Sequence, residues 1–172
     1  MKKLIWFLGF VVLLVLIWLA VRPSKISLIT PIPQITLIPS PTPSEEVTFA
    51  KVTRIIDGDT FVIDTGQHVR YIGMNAPEMS PLECYAKEAT EIDKNLVLGK
   101  DVKLVKDVSE TDKYGRLLRF VYVGDQMIDD ELVKEGAAKI ETVPPDTEFK
   151  EEFQTSENYA KENKLGLWSF CP

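Results

Sequence analysis

The chain has 172 residues, 45% of them hydrophobic, with 26 Asp and Glu against 20 Lys and Arg for a formal net charge of −6. That hydrophobic content excludes a disordered polyelectrolyte, and the acidic excess excludes a surface that holds nucleic acid through many scattered Lys and Arg contacts. The single histidine, His68, excludes a metal centre or a catalytic triad built on imidazole.

Residues Leu4 to Val21 form an uncharged, overwhelmingly apolar run. As a helix it would rise about 27 Å, close to the thickness of a bilayer's hydrocarbon core. Lys2 and Lys3 precede it and Arg22 and Lys25 follow it. A cleaved export signal is the competing reading, but its apolar region is ordinarily shorter, and no small-x-small pattern stands near Leu19-Ala20-Val21. The favoured expectation is an uncleaved transmembrane signal-anchor over 1–22, with the remainder held outside the cytoplasm; cleavage would make the protein secreted. Residues 23–46 carry Pro23, Pro31, Pro33, Pro39, Pro41 and Pro43 among Ser, Thr and isolated aliphatics. Proline at this density blocks helices and sheet ladders, so the segment reads as a linker reaching at most about 75 Å.

Residues 47–172 have the size of one domain with one core. This part holds 24 acidic against 16 basic residues, a net of −8, so any contact with nucleic acid must rest on a local basic site or a bound cation. Thr48 to Ile56, Thr60 to Asp64 and His68 to Met74 are β-rich runs split by Asp57-Gly58 and Thr65-Gly66-Gln67, which predicts three antiparallel strands. Ala86, Ala89, Ile92, Leu96 and Val97 recur at helical spacing up to Gly99. Val102 with Leu104, and Arg116 to Val123, predict two more strands around the polar loop Ser109 to Gly115. A short helix follows over Asp129 to Lys134, with acids at its start and a cation at its end. A last strand is expected over Ala137 to Thr142, then a final helix from about Asp146 to Gly166, whose charges read as its wet face. Trp168 and Phe170 are expected to close the core, and His68 to sit solvated at a strand start. Five of these strands closing on one another, with three helices, imply an α+β fold, a small five-stranded β-barrel.

The chemistry concentrates in Ile56-Asp57-Gly58-Asp59-Thr60 and Val69-Arg70-Tyr71-Ile72-Gly73-Met74-Asn75-Ala76-Pro77-Glu78. A hard divalent cation wants several oxygen ligands, a phosphate wants a forked donor, and an attacking water wants a carboxylate to take its proton. Asp57-Gly58-Asp59 taken alone is equally a tight turn. It does not begin an EF-hand, because the twelfth position from Asp57 is His68 instead of Glu. Cys84 and Cys171 are a candidate disulfide in an exported protein; closing a loop of about 87 residues stabilises by about 4–5 kcal/mol in the chain-entropy model.

Together with Thr111-Asp112-Lys113-Tyr114-Gly115-Arg116, Leu132-Val133 through Gly136, Ala138-Lys139 and Leu165-Gly166-Leu167-Trp168, these blocks resemble the staphylococcal (micrococcal) nuclease, or thermonuclease, family in the same order. The resemblance covers nearly all of 47–168. It implies an OB-fold barrel and a calcium-dependent endonuclease acting on DNA and RNA with little sequence preference, leaving 3′-phosphate ends. Carried onto this chain, it makes Asp59 a direct Ca2+ ligand, with Asn75 where the best-known member has an aspartate, and Ala76 offering its backbone carbonyl. Asp57 is then a carboxylate behind the ligands, Glu78 the general base, and Arg70 and Arg116 the grip on the scissile phosphate. Lys113 and Tyr114 touch the neighbouring phosphate. The amide of Asn75 implies weaker calcium binding, and Thr142 and Pro144 replace tyrosines that stack on the nucleotide. No protein partner is implied and the expected state is a monomer. The alternative is a non-catalytic OB-fold module that binds nucleic acid on the membrane surface.

Overall fold

The computed structural model describes residues 47–172. The apolar run and the proline-rich segment lie outside the described residues, and among the described residues no helix is long and apolar enough to cross a membrane. The elements are β1 (Val47–Ile55), β2 (Thr60–Ile63), β3 (His68–Tyr71), β4 (Met74–Asn75), α1 (Ala86–Val97), β5 (Asp101–Val105), β6 (Leu117–Val123), β7 (Gln126–Met127), α2 (Ile128–Lys134), β8 (Lys139–Ile140), α3 (Lys150–Glu162) and the single turn α4 (Leu167–Phe170).

β1 serves two neighbours. Its first half pairs with β5 from Val47–Val105 to Lys51–Asp101, and its second half with β2 from Val52–Ile63 to Ile55–Phe61. The register shifts between Val52 and Arg54, a bulge that bends the strand enough for one segment to belong to both faces. β2 and β3 form a tight hairpin, β5 and β6 a second antiparallel pair, and the parallel pairing of Val69–Tyr71 with Leu117–Arg119 closes the ring. The result is the five-stranded barrel of an OB-fold.

Alternation fills it. Along β1, Ala50 and Val52 point inward while Lys51 and Thr53 face water. They meet Phe61, Ile63, Val69, Tyr71, Val102, Leu104 and Val121 in one core cluster, each such side chain contributing about 1.5–3 kcal/mol on burial. α1 seals one end with Ala86, Ala89 and Val97, and α2 adds Ile128, Leu132 and Val133. A second cluster of Ile72, Val105, Phe120 and Phe153 ties α3 to the barrel, with Phe149 edge-on to Phe120 at 4.7 Å between centroids. Gly58 is required by close approach: a Cβ there would lie 2.7 Å from that of Ala76 and 3.1 Å from that of Ala89, so only glycine lets the Asp57–Asp59 turn seat against α1.

The second half departs from the periodicity. The expected strand over Ala137 to Thr142 narrows to β8, because Ala137 and Ala138 are buried with the α2 end while only Lys139 and Ile140 find a partner in β4. α3 starts at Lys150 instead of near Asp146. The Asp146 carboxylate accepts the N–H groups of Val108 and Ser109 at 3.0 and 2.7 Å and is spent tethering that loop, so it does not open the helix. α3 ends at Glu162, and Gly166 introduces α4. Its charges are not all wet, since buried Glu157 accepts the N–H of Ile140 at 3.1 Å and pairs with Lys161 at 2.6 Å. Phe170 does not close the core: it is 68% exposed and leans on the Tyr85 ring. Trp168 is half-buried, with the ammonium groups of Lys161 and Lys139 over its ring at 4.5 and 5.5 Å. His68 is exposed as the first residue of β3. Cys84 and Cys171 are bonded, Cα to Cα 5.9 Å, which fastens the end of the chain to the segment that leads into α1.

Candidate active site

Arg70 leaves the middle of β3 opposite Thr60 of β2, which brings its guanidinium beside Asp59 at the barrel's end. It is 9% exposed and makes three hydrogen bonds and two ion-pair contacts. Nε pairs with Asp59 Oδ1 at 3.2 Å. Nη1 donates to the carbonyls of Tyr71 and Met74 at 3.0 and 2.8 Å. Nη2 donates to Asn75 Oδ1 at 2.8 Å and stands 3.6 Å from Glu141 Oε2.

Asp59 is nearly buried and equally occupied. Its Oδ1 also accepts the Thr60 hydroxyl at 2.9 Å, and its Oδ2 accepts the N–H of Ala76 at 3.0 Å. Asp57 Oδ1 accepts the N–H of Asp59 at 3.1 Å, the contact that shapes the turn. Burial, then the charge of Asp59, pushes the Asp57 carboxyl up to about 6, with Glu78 adding to the repulsion.

Arg116 arrives from the other side, on the loop before β6. Its Nε pairs with Asp112 Oδ2 at 2.7 Å and its Nη1 donates to Thr60 Oγ1 at 3.1 Å. Asp112 Oδ1 accepts the N–H groups of Tyr114 and Arg116, which curls the loop into a tight turn beneath the guanidinium. Burial works to raise the Asp112 carboxyl, but its bonds to Arg116 and Tyr114 hold it below the ordinary carboxylate range. Among the described residues Arg116 Nη2 carries no hydrogen bond. Thr60 therefore joins the two cations: its hydroxyl donates to Asp59, the partner of Arg70, and accepts from Arg116.

Both arginines line one open cleft of about 530 Å³, with Lys113, Tyr114, Glu141 and Pro144 on its walls. Tyr114 is 73% exposed, with Lys113 and Arg116 over its ring at 5.0 and 5.5 Å. Of the residues singled out by the sequence, Arg70, Arg116, Lys113 and Tyr114 thus share the cleft, Asp59 and Asn75 stand against Arg70, and Asp57 stands behind Asp59. Glu78 is not a wall of that cleft. It lies on the exposed loop after Ala76, its N–H donating to Glu83 Oε2 at 3.0 Å and its carbonyl accepting the N–H of Glu83 at 2.9 Å. Three further residues belong to the site. Asp112 and Thr60 lie inside the sequence blocks that carry the site; Glu141 carries no local signal.

Among the described residues no three His, Cys, Asp or Glu side chains stand close enough together to hold a metal ion. The donors the resemblance assigns are of another kind: the Asp59 carboxylate, the Asn75 amide oxygen and the Ala76 carbonyl. All are oxygens, which suits a hard cation such as Ca2+ and excludes thiolate or imidazole chemistry. The raised Asp57 carboxyl, crowded by Asp59 and Glu78, marks negative charge that a divalent cation would relieve. In donor chemistry this set suits a hard divalent cation, with one carboxylate fewer than a two-aspartate site.

The family model described as staphylococcal nuclease homologue matches residues 68–170, a span that includes both arginines and Glu78. This chain belongs to the staphylococcal nuclease family. Within that family it is 35% identical over 126 residues to a thermonuclease of Staphylococcus hyicus, spanning 69% of this chain and 75% of that protein. It is 35% identical over 124 residues to a thermonuclease of Staphylococcus intermedius, spanning 68% and 74%. It is also 39% identical over 125 residues to the endonuclease YncB of Bacillus subtilis strain 168, spanning 67% and 59%. The Asp57-Gly58-Asp59 turn precedes the span matched by the family model.

Proposed function

We propose that this protein is a calcium-dependent nuclease that hydrolyses the phosphodiester bonds of DNA and RNA with little sequence preference, leaving 3′-phosphate ends. The observation that carries the reading is the Arg70–Asp59–Thr60–Arg116 chain of contacts, which sets two guanidinium groups on one cleft beside an oxygen-donor set. Phosphodiester hydrolysis accumulates negative charge on the phosphoryl oxygens, and donors fixed in advance lower that barrier without reorganising. Arg116, with an uncommitted Nη2, is the principal grip on those oxygens. Arg70 is committed to Asp59, two carbonyls and Asn75, and meets the phosphate through Nη2 alone. Asp59, Asn75 and the Ala76 carbonyl would hold Ca2+, which would supply positive charge and polarise a water. Glu78, on its exposed loop, takes the proton of the attacking water, and Lys113 and Tyr114 hold the next phosphate. With Pro144 on the cleft wall in place of a stacking aromatic, the contacts proposed fall on the backbone, which favours low sequence preference.

The domain order proposed is an anchor over 1–22, a linker over 23–46 and the nuclease domain over 47–172, acting as a monomer on the outer side of a membrane. The Cys84–Cys171 bond supports an oxidising compartment. The test is cleavage of a single-stranded oligonucleotide by the full chain: activity requires calcium, stops with a chelator, and falls by at least about 100-fold in Glu78→Gln. Calcium-independent cleavage refutes the reading.

A further inference from the structure

The Arg70 guanidinium makes three hydrogen bonds and, through Nε, an ion pair with Asp59, all to partners that the protein cannot move cheaply. Asp59 Oδ1 is itself fixed by Thr60, the carbonyls of Tyr71 and Met74 belong to the backbone of β3 and β4, and Asn75 lies in β4. Nη2 also stands 3.6 Å from Glu141 Oε2, an ion pair beyond hydrogen-bond distance, the longest of the contacts and the only one to a half-exposed side chain. The Glu141 backbone is anchored, its N–H donating to the Gly73 carbonyl at 2.9 Å just past the β4–β8 ladder. Its carboxylate is free to swing into solvent; its backbone is not free to leave. Glu141 also lines the same cleft as Arg116, Lys113 and Tyr114.

From this arrangement we infer that Glu141 is an internal competitor for substrate: its carboxylate sits on the one donor of Arg70 that a backbone phosphate of single-stranded nucleic acid can reach, and it must yield that donor when the phosphate enters. The inference rests on the proposed nuclease reading for the identity of the anion. The two anions compete for the same guanidinium nitrogen, and a second negative charge beside the phosphate is repelled. Glu141 therefore weakens substrate capture without taking part in the chemistry.

The experiment compares Glu141→Ala and Glu141→Gln with the parent full chain, using a fluorescent single-stranded oligonucleotide. Steady-state cleavage in calcium gives KM and kcat, and anisotropy in chelator gives Kd. A half-exposed ion pair of this kind predicts a fall in KM and in Kd of about two- to fivefold, larger than any change in kcat. The gain shrinks at about 0.5 M salt as the repulsion is screened. Asp125→Asn, on the β6–β7 turn, removes the same charge away from the cleft and must not reproduce the gain. A KM and Kd that stay level or rise in both Glu141 variants, or an equal gain in Asp125→Asn, overturns the inference. Failure of the parent chain to cleave anything overturns the nuclease reading instead, and the Kd comparison still decides the role of Glu141. A parent that neither binds nor cleaves overturns both.

Discussion

Asp59 and Arg70 form a nearly buried ion pair, Oδ1 to Nε at 3.2 Å, in which each partner also holds hydrogen bonds to the protein around it. Removing one partner of such a pair strands the other. Arg70→Lys keeps the charge but supplies three donors in place of five, leaving acceptors among Asp59, Met74 and Asn75 unpaired. The expected cost is about 2–4 kcal/mol in urea unfolding, alongside at least about a 100-fold loss of cleavage. Arg116→Lys is the contrast, since Arg116 is only partly buried and half committed: less than about 1 kcal/mol of stability, with a comparable loss of activity. Equal stability losses in the two variants would contradict this division of labour.

Asn75→Asp adds a second carboxylate to the oxygen-donor set and faces Arg70 Nη2 at the same 2.8 Å contact. The calcium concentration for half-maximal cleavage should fall by about tenfold, because ligand charge sets affinity at such sites. An unchanged calcium midpoint would remove Asn75 from the ligand set.

The local half of this site was legible in the sequence. Asp57-Gly58-Asp59, Arg70 and the Asp112–Arg116 loop carry their own turn chemistry, and the β-rich runs predict the strands that bring them together. What failed to show was long-range. Glu141 reaches Arg70 only because two residues of β8 pair with β4, a ladder too short for any periodicity to reveal. Asp93 falls on the α1 face with Ala89 and Val97, where a charge is least expected, and the barrel's Tyr71 is what receives it. Phe170 illustrates the reverse error, an aromatic ranked as core that the Cys84–Cys171 tie holds at the surface.

Asp93 gives the protein a pH signature. It is fully buried and accepts the Tyr71 hydroxyl at 2.6 Å, its other oxygen has no partner, and burial pushes its carboxyl up to about 8 despite that bond. The folded state thus holds a proton that the unfolded chain releases near pH 4, so this group's contribution is complete below about pH 4 and declines as pH rises toward about 8. Asp93→Asn, which mimics the neutral acid, should flatten the fall in unfolding free energy between pH 5 and 8 and gain about 1–3 kcal/mol at pH 8. A variant with the parent's pH slope, measured by urea titration, would show that Asp93 is charged in the fold.

Reduction of Cys84–Cys171 frees the end of the chain and α4, which stand apart from the cleft walls. The double Cys→Ser variant should lose about 2–5 kcal/mol in urea while its kcat at 25 °C stays within about twofold. A collapse of kcat with the fold intact would mean that the tail supports the site directly.

The account stands most directly on a calcium titration of single-stranded DNA and RNA cleavage by the full chain. It predicts no cleavage in chelator, a saturable rise with calcium on both nucleic acids, and products ending in 3′-phosphate. Retained binding without cleavage at saturating calcium would contradict it and leave a barrel that only holds nucleic acid.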